Sequence, residues 1–436
     1  MEWHLILLLI FGSLVILMAT GLPIAFCFLL ICLGGMYVFF GLNGLEQLIV
    51  SISASLATFV LLPIPLFILM GEVMFHSGIA PILINSLDKW LGQLHGRLAL
   101  LAVGAGTLFS TLTGTSLASV AMLGSVLVPE MERKGYKKTM ILGPILGSGG
   151  LAMMIPPSGL AVLLAAIAEV SVGKVLIAII VPGLLMATIY TVYIIGRCKL
   201  QPWLAPAYHV PPTTLHDRIM DTMKYVLPQG TVVFLVIGVI FLGVTTPSEA
   251  AATGALGTII LAFCYKRMNW EILRRAISGT IKVNGMIFLI IGGATAFSQI
   301  LAYSGATAGL SEVATSLHVR PVFIIVAMQV VLVFLGCFMD PVCIMMVTVP
   351  MFFPVIESLG FNPVWFCVIM LVNLEMAVIS PPFGLSLFVL KGLATPDTKI
   401  EDVYRASLPF MGLNVLAMAL VIIFPELALW LPGQMR

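Results

Sequence analysis

Residues 147–160 read GSGGLAMMIPPSGL, and residues 372–385, at a constant shift of 225, read VNLEMAVISPPFGL. In each, a long apolar run meets a proline pair, and two residues later a Gly-Leu step: Pro156, Pro157, Gly159 and Leu160 in one, Pro381, Pro382, Gly384 and Leu385 in the other. Proline lacks the backbone donor of a helix interior and its ring clashes with the preceding turn. Neither run is therefore expected to form one regular helix. Gly147, Ser148, Gly149 and Gly150 are poor helix formers as well, so the break is expected to begin there in the first copy. The same shift aligns Pro129 with Pro354, Gly135 with Gly360 and Lys174 with Lys399. Leu and Val coincide often by chance in so apolar a chain, but a punctuated motif of this kind does not.

The surroundings of the motif identify its solvent. Of 436 residues, 60% are hydrophobic and only 9% charged, about a third of the charged share usual in soluble domains. Mean hydropathy is +1.14. A soluble enzyme of this size is excluded, because too few charges remain to cover its surface. A net charge of +2 offers no footprint for nucleic acid. Seven cysteines lie scattered through apolar segments without CxxC spacing, so they read as small packing residues. The first apolar run lacks a basic leader and a cleavage site and is expected to be retained as a helix.

Apolar runs predict ten crossings, near 3–20, 22–42, 48–75, 139–165, 174–196, 225–243, 248–264, 283–303, 363–390 and 406–430. Two further apolar stretches, 98–129 and 321–355, are interrupted at their centres and are expected to be re-entrant helical hairpins. Charge supports that layout. Loops sharing one side under it (76–97, 130–138, 197–224, 265–282, 391–405) hold 18 of the 21 Lys and Arg residues, leaving only Lys174, Arg320 and Arg436 opposite. By the positive-inside rule those loops are cytoplasmic and both termini lie outside. Five crossings per half is an odd number, so the second copy is inverted. The expected organisation is an all-α polytopic membrane protein with a first repeat at 1–196, a cytoplasmic linker at 197–224 and a second repeat at 225–436.

Inverted repeats with paired interrupted elements are a signature of secondary transporters, whose sites form at the midplane where unwound backbone is free to bind ions. No GxSxG, HExxH or phosphate-binding loop is present, and the histidines are isolated. The chemistry is thus expected to be binding and release rather than catalysis, with no organic cofactor. Candidate residues are Ser110, Thr113, Gly114, Thr115 and Ser116 at the first tip, Gly336, Met339 and Asp340 at the second, Gly147, Ser148, Gly149, Gly150, Pro156, Pro157 and Ser158 in the first broken segment, and Glu375, Ser380 and Pro381 in the second. Hydroxyl and carbonyl oxygens suit a hard cation such as sodium. Asp340 and Glu375 are acids deep in apolar sequence, which costs on the order of 3 kcal/mol on the insertion scale. An intramembrane acid is functional by default, so Asp340 is assigned to the site; the alternative is that Thr115, Ser116 and Asp340 only cap the return helices, with Pro341 at the first helical position, and that Glu375 is a structural carboxyl bonded to freed backbone amides. No Lys or Arg lies in either tip or beside either proline pair, so an anion would be held by helix amino ends, hydroxyls and bound cation.

The TGTS tip with the following VPEMERKGY, IPPSGLAVL, TPSEAAATGA at 246–255, the FMDP tip and NLEMAVISPPFGLSLF together resemble the large membrane subunit (M subunit, DctM-like) of tripartite ATP-independent periplasmic (TRAP) transporters. The resemblance covers essentially the whole chain. It implies an elevator-type carrier in a bacterial inner membrane, driven by a sodium gradient. It implies two partners as well, a small four-helix membrane subunit (Q subunit) and a periplasmic substrate-binding protein (P subunit). The substrate it implies is a small organic anion, a carboxylate or a sulfonate. A stand-alone sodium–anion symporter of the same architecture, needing no binding protein, is the alternative.

Overall fold

A computed structural model describes residues 3–92, 94–113, 115–206 and 214–435; the candidate Gly114 lies outside them. Among the described residues every regular element is helical. Eight helical stretches are long and apolar enough to cross a bilayer, the longest being Trp270–Tyr303 with 34 residues, and Trp3–Ala19, Arg97–Ser110, Pro321–Gly336 and Pro363–Val378 are shorter apolar helices. The chain is an all-α polytopic membrane protein.

One expected crossing is divided. The run at 48–75 is split between Leu42–Leu56 and Pro63–His76. Thr58 adopts an extended conformation (φ −78°, ψ 130°) between them. Hydropathy could not locate that turn, since Phe59, Val60, Leu61 and Leu62 keep the sequence apolar through it. Leu42–Leu56 follows Ile24–Phe40 across Gly41 instead, whose φ of +67° suits a residue without Cβ.

The 225-residue register extends to the backbone. The hairpin helices are Arg97–Thr113 and Ser116–Arg133 in the first copy, Pro321–Gly336 and Pro341–Ser358 in the second. The segments that follow start at Lys138 and Pro363, again 225 apart, and both proline pairs contain a cis peptide bond. Gly135 and Gly360 end their helices at φ of +77° and +75°. A short helix enters each hairpin, Ala80–Asp88 in one half and Ala306–Ser316 in the other.

The glycine run departs from expectation. Lys138–Gly150 is continuous helix through Gly147, Ser148, Gly149 and Gly150, a 3-10 turn follows at Leu151–Met153, and only then does the chain open, before Gly159–Ile167 begins. Tertiary packing overrides propensity here. A Cβ on Gly147 would fall 2.3 Å from Phe410, one on Gly149 2.3 Å from Val120, and one on Gly150 2.6 Å from Glu375. The glycines make a smooth helix on which three neighbouring elements close, so burial offsets the cost of their backbone entropy.

Candidate substrate and ion site

Both return helices begin at equivalent positions. Thr115 (φ −138°, ψ 136°) holds the cap position of Ser116–Arg133 without a side-chain cap hydrogen bond, whereas Asp340 (φ −75°, ψ 159°) caps Pro341–Ser358 with its side chain. A short polar residue in extended conformation followed by helix is what an N-cap requires, and Pro341 occupies the first-turn position where no donor is lost. Asp340 Oδ1 accepts from the backbone N–H of Val342 at 2.9 Å and of Cys343 at 3.2 Å, while Oδ2 accepts from the Cys343 thiol at 2.7 Å. The carboxylate is thereby turned onto its own helix. Cys343 was not singled out in the sequence, although its spacing, one turn after the acid, was the available signal.

The second tip lines a cavity of about 200 Å³ with Met339, Asp340, Ala377, Phe383 and Gly384 among its walls. Gly336 permits the approach: a Cβ there would lie 2.6 Å from that of Ala377. Pro381 is half-buried beside it, and Phe383 is exposed. In the first copy the matching residues Pro156, Pro157 and Ser158 are all buried. The two proline motifs thus differ in burial.

Several candidate hydroxyls are already engaged with their own helices. Ser110 donates to Gly106 O at 2.6 Å, Ser148 to Pro144 O at 2.5 Å, and Ser380 to Met376 O at 2.8 Å. Ser158 caps Gly159–Ile167 by accepting from Ala161 N at 3.3 Å. Ser116 differs: it is 3% exposed, and its Oγ has no hydrogen-bond partner among the described residues. Thr113 belongs to the last turn of Arg97–Thr113.

Glu375 lies apart from the second tip, wholly buried where the two broken segments meet. Tyr190 donates from its hydroxyl to Glu375 Oε1 at 3.0 Å and also contacts Asn414 Oδ1, while Glu375 Oε2 has no partner. Tyr190 and Asn414 sit on Ile180–Leu200 and Ile400–Ile423, so three distant segments converge on one carboxyl. Nothing local in the sequence marks that convergence. Among the described residues no group of three His, Cys, Asp or Glu side chains is arranged to hold a metal ion. Among the described tip residues the structure presents the amino ends of two return helices, the buried Ser116 hydroxyl at one and the Asp340 carboxylate at the other.

Residues 11–427 match the family model for the tripartite ATP-independent periplasmic transporter, DctM component. The C4-dicarboxylate TRAP transporter large permease protein DctM of Pseudomonas aeruginosa is 32% identical, over 90% of this chain and 91% of its own. The ectoine TRAP transporter large permease TeaC of Halomonas elongata is 29% identical over 92% of both chains. The isethionate TRAP transporter permease DctMQ of Oleidesulfovibrio alaskensis is 28% identical, over 97% of this chain but 66% of that longer one. Among solved structures, the Alcanivorax borkumensis YdaH transporter superposes with a TM-score of 0.65 at 17% identity, covering 90% of each chain, a likeness of fold.

Proposed function

The chain belongs to the DctM family of tripartite ATP-independent periplasmic transporters, a family of transport proteins rather than enzymes, and we propose that it imports a small organic anion by sodium-coupled alternating access. The observation that carries this reading is the pair of hairpin tips, with Thr115 and Asp340 at the equivalent position of their return helices, beside broken segments of which one has a buried proline pair and the other borders a cavity. Two related sites in unlike surroundings fit a carrier open to one side at a time. Relatives named for C4-dicarboxylate, isethionate and ectoine indicate carboxylates and sulfonates as the substrate class.

Sodium is the coupling ion in this reading, held near Asp340 by carboxylate and backbone oxygens. The moving body comprises the hairpins and broken segments. Ties between the copies on the lysine-rich face support its rigidity: Lys138 reaches Asp397 at 2.9 Å and Asp402 at 3.4 Å, and Thr395 donates to Glu132 at 2.9 Å. A periplasmic binding protein delivers the substrate and a small four-helix subunit braces the scaffold. The DctMQ relative carries 28% identity to this chain in a longer polypeptide, so the small subunit is a separate chain or a fused one in different systems. The membrane is the bacterial inner membrane, with both termini periplasmic.

Uptake into proteoliposomes containing this chain, its small subunit and its binding protein is expected to require an inward sodium gradient. Asp340→Ala is expected to abolish sodium dependence. Uptake that is equally fast without sodium, or sodium coupling that survives in the variant, would overturn the assignment.

A further inference from the structure

On the face that the charge bias places in the cytoplasm, the packed helices Leu227–Phe241 and Pro247–Cys264 end in a cluster of cations drawn from two distant parts of the chain. Tyr225, just before the first helix, and Tyr265, just after the second, lie ring to ring with centroids 5.8 Å apart. Tyr265 donates its hydroxyl to the Lys224 carbonyl at 2.6 Å, and the Lys224 ammonium stands 5.2 Å over the Tyr225 ring. Lys266 and Arg267 follow Tyr265 directly, so three cations flank one tyrosine pair. All three are exposed, and none has an ion-pair partner among the described residues. The nearby acids are engaged elsewhere: Asp221 pairs with Lys89, and Glu271 with Arg275. Lys266 also takes a left-handed backbone (φ 55°) just past its helix end, where glycine is the unstrained choice, as at Gly135, Gly243 and Gly360. A lysine kept there at a conformational cost points to a use for its charge. Beneath the cations the surface is apolar. Leu215–Phe241 is the least buried of the eight crossing stretches, and Leu227, Phe234, Ile260 and Phe263 are each at least half exposed.

We propose that this corner binds an anionic phospholipid of the cytoplasmic leaflet: Lys224, Lys266 and Arg267 hold its phosphate, and its acyl chains lie along Leu227–Phe241 and Pro247–Cys264. Charge complementarity selects the occupant, since three unpaired cations above a lipid-facing apolar strip match a negative headgroup carried on hydrocarbon. The site is independent of the substrate and of the coupling ion. It is joined to the first hairpin by short contacts: Asp221 pairs with Lys89, and Trp90 donates its indole N–H to the Thr222 hydroxyl at 2.9 Å, on the stretch that leads into Arg97–Thr113. A lipid held at Lys224 thereby steadies the segment from which that hairpin hangs.

The test uses the full chain in detergent, titrated with dioleoylphosphatidylglycerol or dioleoylphosphatidylcholine, with bound lipid read by native mass spectrometry and melting temperature as a second readout. Phosphatidylglycerol is expected to bind about tenfold more tightly, within what three cations near a lipid phosphate supply. The triple variant Lys224→Gln, Lys266→Gln, Arg267→Gln is expected to melt close to wild type without lipid, because the side chains are exposed, and to bind the two lipids within about twofold of each other. The triple variant Arg133→Gln, Lys137→Gln, Lys199→Gln removes the same charge from other exposed positions and is expected to keep the preference. Lys266→Gly relieves the left-handed backbone, so it is expected to melt no lower than wild type without lipid yet bind phosphatidylglycerol about fivefold less tightly. A preference that survives in the first triple variant, or is lost equally in the second, would overturn the proposal. So would an equal rise in melting temperature with inorganic phosphate, which would show that the cluster takes the anion without its hydrocarbon. Release of the bound lipid on adding the small membrane subunit would assign the face to that protein and overturn the proposal as well.

Discussion

Gly150 and Glu375, one from each copy of the repeat, occupy adjoining space: a Cβ on Gly150 would lie 2.6 Å from Glu375 Cγ and 2.8 Å from its Oε1. The absence of a side chain at one position is the room for the carboxyl at the other. Gly150→Ala is therefore expected to destabilise the protein by about 1–3 kcal/mol through overpacking. Glu375→Ala should relieve much of that clash. A double-mutant cycle from thermal melts in detergent is expected to show the pair costing less than the summed singles. Strict additivity would mean that the two sites do not touch.

Tyr190 serves Glu375 and Asn414 with one hydroxyl in a place from which water is excluded. Tyr190→Phe keeps the ring packing against Phe410 but leaves both polar partners short of a hydrogen bond. The expected loss is about 1–3 kcal/mol, the desolvation cost of unsatisfied buried groups. Chemical denaturation of the purified variant measures it, and a change under half a kcal/mol, roughly the lower end for any net hydrogen bond, contradicts the account.

Phe410 lies across Gly147, with a Cβ there reaching within 2.3 Å of the ring, and across Gly143 at 2.7 Å. Gly147→Ala is thus expected to lower the melting temperature, even though alanine is the better helix former by about 1 kcal/mol. Propensity and packing make opposite predictions. A rise in melting temperature on this substitution would show that the ring is not held against the helix.

Lys138 stands between Asp397 and Asp402 at the lysine-rich face. The Thr395 hydroxyl and then the Lys138 ammonium hold the Asp397 carboxyl below its usual range, the Lys399 amide and then Lys138 do the same for Asp402, and Asp397 raises Lys138. Carboxyl groups depressed in the fold stabilise it above their unfolded values and lose that contribution as pH falls through the folded ones. A raised lysine contributes below its unfolded value and loses the contribution as pH rises through the folded one. The difference in melting temperature between wild type and Lys138→Met is expected to be constant from about pH 6 to 9 and to shrink below about pH 4 and above about pH 10. High salt should also diminish it, because Asp397 is exposed and Lys138 and Asp402 are only half-buried at the surface.

Much of this was legible in residue order. Charge scarcity made the surviving charges readable, and the proline pairs reported the repeat because proline acts through its own covalent ring wherever it stands. Depth in apolar sequence assigns Asp340 to the site, with a cap ahead of Pro341 as the alternative, and its hydrogen bonds show that it does cap the helix. Glycine carries no such local meaning. Gly147, Ser148, Gly149 and Gly150 suggested unwound chain but form helix, since what they permit is the approach of Phe410, Val120 and Glu375, which are remote in sequence. Cys343 and Asn414 went unnoticed because a thiol and an amide acquire a function only from their neighbours.

The sequence by itself determined the solvent, the helical class, the repeat and the elements in which it is broken, all consequences of composition and of residues that constrain their own backbone. Only the tertiary structure decided that the first proline pair is buried while the second borders a cavity, that Asp340 turns onto its own helix, and that Ser116, unlike Ser110, Ser148, Ser158 and Ser380, has a hydroxyl with no partner among the described residues. Those are properties of which atoms lie beside which. Two nearly identical motifs acquire different environments when they pack against different partners, and no reading of either motif alone contains that difference.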